Sequence, residues 1–412
     1  MSHNGRTKGA DGPQQPDDLH WDPFDEALKA DPHPVWQRLR DEAPLYYNSQ
    51  YDFWALSRFE DVEGAHREPK RYSSAHVTVL EMMTEDAQHE GPMIFLDPPE
   101  HTMLRRLASK AFTPRRVAAL ENEIRDLCGN LLDAQQGRER FDYVQEFGAR
   151  VPATVIAALL GVPPSDREDV RRHIDQMFHL EPEVGMANDV AAQAGAWLYT
   201  YIADQLNERR STPRDDMFSD LVSAEVIDHQ GVTRRLTPDE ASGFGILLIG
   251  AGTETVARLL GWAALVLADH PDQQAALAEN PSLIPNAVEE LLRYESPSPV
   301  QARWLTEQVE LHDRVIPAES KVLLLTGSAG RDERVYVDAN RFDIRRNIKV
   351  HVAFGYGIHF CLGAALARME GKIALEETFA RYKSWTVDME DAVPLHTSTV
   401  RGYHQLPICV EN

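Results

Sequence analysis

The run Phe354-Gly355-Tyr356-Gly357-Ile358-His359-Phe360-Cys361-Leu362-Gly363, continued by Ala364-Ala365-Leu366-Ala367-Arg368-Met369-Glu370, decides the reading of this chain. A cysteine in apolar company is most often a small buried hydrophobe. Here two glycines give the backbone unusual freedom just before the cysteine, and helix-forming residues begin just after it. The Cys361 sulfur is therefore expected at a helix N-terminus, where backbone N–H groups and the positive dipole end stabilise a thiolate. That geometry suits a sulfur that must stay deprotonated and bind a metal. One soft ligand without Cys or His neighbours at zinc spacing points to an ion held mostly by another group, such as a haem.

The same run resembles the haem-binding signature of the cytochrome P-450 family, FGxGxHxCxG, with every specified residue present in order. By that resemblance Cys361 is the axial thiolate ligand of haem b, Phe354 shields it, His359 hydrogen-bonds a haem propionate, and Gly355 and Gly363 complete the loop. The implied fold is mainly α with a smaller β-rich region. It is a single haem-enclosing catalytic domain over residues 20–412 with a long central helix, preceded by a flexible polar tail at 1–19.

Outward from the motif, the composition limits the alternatives. The chain has 412 residues, 43% of them hydrophobic, with 42 Lys+Arg against 65 Asp+Glu, a net charge of −23. A sizeable core can be buried. The acidic balance argues against a nucleic-acid or anionic-membrane surface as main partner. Cys128, Cys361 and Cys409 are odd in number and widely spaced, so a disulfide framework is not expected and a reducing compartment fits. The polar N-terminus has no apolar stretch of signal-peptide or anchor length, and the longest apolar region, Phe244 to Leu267, is broken by Glu254 and Arg258. The expectation is a cytoplasmic monomer without a membrane anchor.

Helical periodicity dominates, with helices expected near 35–42, 100–112, 115–135, 141–160, 165–178, 187–209, 271–279, 284–294 and 362–381. Strands are expected at 45–47 and 53–56 and from about Val300 to Leu325, where VELHDRVIPAESKVLLL reads as a hairpin. Thr237-Pro238-Asp239-Glu240 carries the signals of a helix start, with Thr as cap, Pro at the first position and Glu where a capping box needs it. The helix is expected to run to about Asp269 and, being apolar nearly all round, to lie at the centre. Within it, Ile246-Leu247-Leu248-Ile249-Gly250-Ala251-Gly252-Thr253-Glu254-Thr255 also looks like a strand entering a dinucleotide-binding turn. Thr255 stands where the third glycine would be, the TPDE start makes the segment helical, and no αβ alternation follows, so that reading is rejected. The segment resembles instead the family's AGxxT motif. The resemblance makes Ala251 and Gly252 the edge of a groove for dioxygen, and Glu254 and Thr255 the pair that organises water and relays protons; an ordinary Glu254–Arg258 ion pair at i+4 is the plain alternative.

His101 and Arg105 sit at i and i+4 on one helix face, where they could clasp a carboxylate. The family resemblance makes both propionate ligands, joined by Arg303. Glu290 and Arg293 are three apart on another helix, and the Arg341-Phe342-Asp343 segment resembles the partner that completes a buried Glu–Arg–Arg cluster, so Glu290, Arg293 and Arg341 are assigned to structure. Pocket-lining segments of the family map onto about 75–96, 174–187, Leu247–Thr255, Pro297–Ala302 and His396–Thr399. They place Met82, Met83, Ile94, Phe178, Leu247, Val300 and Thr397 at the substrate. Flexible Met-rich walls suit a bulky apolar ligand such as a terpenoid, a steroid or a fatty acyl chain.

The implied reaction is hydroxylation, inserting one oxygen atom of O2. The chain is too short to hold a flavin reductase as well, so electrons are expected from a separate ferredoxin and its reductase. Arg105, Arg106, Lys110, Arg115 and Arg116, with no acid among them, form a patch that could steer such an acidic donor. Two other classes share the fold: a haem-thiolate sensor, which needs no proton relay, and an isomerase or dehydratase, which turns over without O2 or reductant.

Overall fold

Thr237 fixes the start of the longest helix, Pro238–Ala268, through a reciprocal cap: its Oγ1 accepts the Glu240 N–H at 3.1 Å while the Glu240 carboxylate accepts the Thr237 N–H at 2.8 Å. The computed structural model describes residues 15–411 except 90, 179, 180, 182–187, 228–230 and 398. Thirty-one residues make this helix about 46 Å long at 1.5 Å each, enough to cross the molecule. It packs against the helices Arg150–Leu160, Asp189–Ser211 and Ala364–Arg381 and against the strand Arg401–Gln405. The segment Ile246–Thr255 lies wholly inside it, so its glycines make no nucleotide-binding turn.

Two apolar cores share the central helix. Leu260 joins Cys128, Phe147, Leu291, Phe342 and Ile408 in one. Leu248 and Ile249 join Leu104, Ile156, Ile202 and Phe218 in the other. Among the described residues this helix alone is long and apolar enough to cross a membrane, and 67% of its most apolar window is buried in the protein as core.

The β-rich region is a five-stranded sheet in the order Leu45–Asn48, Phe53–Leu56, Lys321–Leu324, Gln301–Leu305 and Tyr72–Ser73. Lys321–Leu324 runs parallel to Phe53–Leu56 and antiparallel to Gln301–Leu305, with Val322 opposite both Trp54 and Arg303. The expected hairpin forms only in its first part, Val309–Leu311 with Arg314–Ile316; its last strand leaves to join the sheet.

Three other expectations change. The helix expected at 141–160 is shortened and divided: Arg140–Asp142 pairs instead with the C-terminal strand Pro407–Glu411, a π-helical turn follows at Val144–Gly148, and the α-helix runs over Arg150–Leu160. The Asp142 carboxylate then accepts the N–H groups of Val144, Gln145 and Leu406, turning the chain before the helix. The helix expected at 115–135 is divided at Leu120 into Pro114–Ala119 and Glu121–Asp133. Of the tail expected at 1–19, residues 1–14 lie outside the described residues, while Gln15 bonds the backbone of Tyr47 and Leu19 is buried beside Trp21 and Trp36.

Candidate functional site

The Cys361 loop is built by local bonds. Gly355 and Gly357 both take φ of +67°, the left-handed region that glycine alone adopts freely. A Cβ on Gly357 would lie 2.4 Å from the backbone oxygen of His66, so this loop also needs the missing side chain for contact with the Phe59–Arg67 helix. The Cys361 N–H donates to the Phe354 carbonyl at 2.9 Å, and the helix Ala364–Arg381 starts three residues on. Burial pushes the Cys361 thiol up, opposed by the Gly363 N–H and the cations Arg105 and Arg368. Arg368 lies 4.5 Å over the Phe354 ring and is held by Glu289 at 2.6 Å, so the aromatic shield is itself clamped.

Beside this loop stand basic side chains from three separate segments. The helix Glu100–Ala111 carries His101 and Arg105, and Arg105 donates to the Phe360 carbonyl at 2.6 Å. The His101 and His359 rings lie 4.2 Å apart. Arg303, from Gln301–Leu305, is 6% exposed, and among the described residues its side chain's one hydrogen bond is to the neighbouring Ala302 carbonyl. Neither ring nitrogen of His101 has a partner, nor has Nε2 of His359 or of His66. Burial and the mutual repulsion of these groups depress them together. His101 falls to about 4 through burial and then Arg105, and His359 to about 2 through burial and then Arg303. Arg303 itself falls to about 10 through burial, against the pull of Asp97. Buried donors in native proteins nearly always find an acceptor, so a cluster of this kind calls for an anion.

On the central helix, Thr255 donates its hydroxyl to the Ala251 carbonyl at 2.9 Å, and Glu254 pairs with Arg258 at 2.7 Å, both buried. Arg258 also donates to the Tyr403 carbonyl. The expected ion pair at i+4 is thus present, and Glu254 and Thr255 bond in different directions. The space left by Gly252 is not the open side of the helix: a Cβ there would meet Ile156 Cγ1 at 3.3 Å, and the exposed residue of this turn is Ala251. Asp175 on Arg167–Met177 is a further carboxyl close to this group. Burial and the nearby Glu254 outweigh Arg171 and push it up to about 6.

The Glu–Arg–Arg cluster forms, with one member corrected. Glu290 holds Arg293 at 2.6 Å, both completely buried, and its second oxygen accepts from Arg346 at 3.1 Å. Arg341 is exposed and offers only its carbonyl, which accepts from Arg346 at 2.7 Å and Arg293 at 3.3 Å. The backbone from Asp338 to Arg346 turns so that the later arginine, not the earlier one, faces Glu290.

The expected pocket residues divide. Phe178 and Leu247 pack on the second core, with Met177 and Phe178 seated against Gly250. Val300, Leu80 and Met83 join the apolar cluster of the N-terminal segment, and Thr397 lines a small cleft with Val300, Trp21 and Trp36. Met82 and Ile94 are exposed. Residues 182–187 of the 174–187 segment lie outside the described residues.

A cysteine presented by a glycine loop at a helix start, beside a buried basic cluster that lacks its anion, defines a protein that binds a metal-bearing, carboxylate-bearing group. The chain belongs to the cytochrome P450 family, whose model matches residues 42–407. It is 40% identical to cytochrome P450 123 of Mycobacterium tuberculosis over 96% of this chain and 98% of that one. It is 36% identical to the vitamin D(3) 25-hydroxylase of Pseudonocardia autotrophica, covering 94% and 96%. Among solved structures, a cytochrome P450 from Chondromyces apiculatus superposes with a TM-score of 0.84 at 36% identity, covering 94% of this chain and 97% of that one. One from Bacillus megaterium in complex with corticosterone gives 0.82 at 31%, covering 93% and 99%. The chain is therefore a haem monooxygenase with a cysteine thiolate as axial ligand, acting on a small molecule with O2. Haem fits the residues present, since its two carboxylates are the anions that the unpartnered nitrogens around Arg303 lack.

Proposed function

We propose that this chain hydroxylates a bulky apolar small molecule of terpenoid, steroid or fatty acyl type, as a cytoplasmic monomer fed with electrons by a separate ferredoxin and its reductase. The observation that carries this reading is the meeting of His101, Arg105, Arg303 and His359 beside the Cys361 loop, with no ion pair to a carboxylate among the described residues. Cys361 would supply the axial thiolate, and the four basic side chains would hold the two carboxylates. When bound, haem supplies the activation of O2 and the transfer of one oxygen atom. The relative named for vitamin D(3) and the solved structure in complex with corticosterone support a large apolar substrate for this chain, as do the partly buried Leu247 on the central helix and Met177 and Phe178 beside it.

The protein's own work is proton delivery and exclusion of water. Thr255 can turn its hydroxyl from the Ala251 carbonyl into the site. Glu254 can pass a proton inward as its pairing with Arg258 loosens, with Asp175 as a nearby carboxyl able to hold a proton near neutral pH. Replacing Thr255 by alanine is expected to cut product formed per electron pair roughly tenfold while the substrate-induced spin-state shift is kept. Unchanged product yield would remove the relay and favour the sensor reading.

For the electron donor, the basic patch is smaller than the sequence implies. Arg105 is turned to the Phe360 carbonyl and Arg116 is paired with Asp220, leaving Arg106, Lys110 and Arg115 exposed without an ion pair among the described residues. Phe360, 39% exposed beside Cys361, adds an apolar centre to that face. Arg106→Glu is expected to slow reduction by ferredoxin about tenfold at low salt, with substrate binding intact and the difference shrinking as salt rises. Equal stopped-flow reduction rates at low salt would exclude this face as the docking surface.

A further inference from the structure

One group in the basic cluster answers to no sequence motif. His66 lies in the last turn of the helix Phe59–Arg67, which is wedged under the Cys361 loop: a Cβ on Gly357 would strike the His66 carbonyl oxygen, and one on Gly355 would lie 3.7 Å from His66 Cε1. The imidazole is 5% exposed and its Nε2 has no partner. It lies within the field of both Arg303 and His359: Arg303 is a cause of its own depression, after burial, and it contributes in turn to that of His359. A histidine packed only for its shape would leave this ring nitrogen unsatisfied in the core, which native proteins rarely tolerate. Arg303 and His359, the two groups it acts with, are both among those read above as carboxylate holders.

We propose that His66 is a third imidazole of the carboxylate cradle, donating from Nε2 to a propionate of the bound haem and so tying the Phe59–Arg67 helix to the cofactor as well as to the loop. The inference rests on the reading that the basic cluster holds those carboxylates. A neutral imidazole suits the position, because it adds a donor without adding a further charge beside the buried Arg303.

The test uses the purified holoenzyme. His66→Phe keeps a flat aromatic ring, somewhat larger, and removes the donor, and His66→Asn keeps a donor in less volume. Haem transfer to excess apomyoglobin is expected to be about tenfold faster for His66→Phe than for the wild type, the size usual for an outer hydrogen bond to a metal group. His66→Asn should recover most of that difference, and resonance Raman should show the propionate bending band displaced in His66→Phe alone. Reconstitution with haem dimethyl ester, which has no free carboxylate, should bring wild type and His66→Phe to the same transfer rate. Equal transfer rates for wild type and His66→Phe with ordinary haem would overturn the role of His66, and so would an Asn variant as fast as Phe. A wild type that holds the dimethyl ester as firmly as haem would instead overturn the cradle reading itself, so the two failures are distinguishable.

Discussion

Cys361→Ala is expected to abolish the red-shifted Soret band of the reduced, CO-treated protein and to lower O2-dependent product formation by more than about 10³-fold, equivalent to roughly 4 kcal/mol of barrier. The size of the effect follows from how little else in the chain could serve. Of the three cysteines, Cys128 is packed in the first core, where burial drives its thiol strongly up and leaves it inert. Cys409 lies in the strand Pro407–Glu411 opposite Arg140 and Thr386, in the C-terminal sheet. Cys361 alone combines a helix start, an N–H from Gly363 and two neighbouring cations, which together oppose the cost of burying a thiolate. The mutant removes the ligand without removing the loop, since the bond from residue 361 to the Phe354 carbonyl is made by the backbone. A thiolate-type band that survives in Cys361→Ala would assign the ligand elsewhere and sink the reading of the whole site.

The second large effect is on stability. Glu290→Ala leaves Arg293 and Arg346 facing each other with no carboxylate, Arg293 being fully buried, and is expected to cost about 3–5 kcal/mol. Against a total stability of about 5–15 kcal/mol, such a loss lowers the yield of folded holoprotein severely. Arg346→Ala should cost about 2–3 kcal/mol, because it breaks the bond to Glu290, frees the carbonyls of Val337 and Asp338 and leaves that of Arg341 to Arg293 alone. Arg341→Ala should stay within about 0.5 kcal/mol, since only its backbone takes part. Urea-unfolding midpoints of the three variants measure this. Arg341→Ala as damaging as Arg346→Ala would restore the earlier arginine to the cluster.

The contrast between Arg341 and Arg346 shows why part of the site is hidden in the sequence. Both follow the same turn and both are arginines near a buried glutamate; which one reaches Glu290 depends on the path of the backbone past Asp338, whose φ is +49°. His66 is hidden for a different reason. On its own helix it is an ordinary inward-facing residue among Val62 and Ala65, and only the seating of that helix against Gly355 and Gly357 brings it to Arg303. The start of the helix expected over 141–160 is displaced likewise by a distant partner, since the strand Arg140–Asp142 pairs with Pro407–Glu411.

What the sequence determines by itself is therefore the chemistry that is contiguous or helical in spacing. The glycine-flanked Cys361, the His101–Arg105 pair on one turn, the capping box at Thr237 and the apolar length of the helix that follows all act over a few residues, where backbone geometry is fixed by residue type. Tertiary structure decides the rest: that Gly252 faces Ile156 while Ala251 is exposed, that Arg105 turns from the surface to the Phe360 carbonyl, that Arg346 takes the place expected of Arg341, and that His66 joins the basic cluster. Each of these is a choice of direction among chemically similar groups. Such choices are made by long-range packing, because the cost of burying an unpaired charge or N–H is settled only when the distant partner arrives.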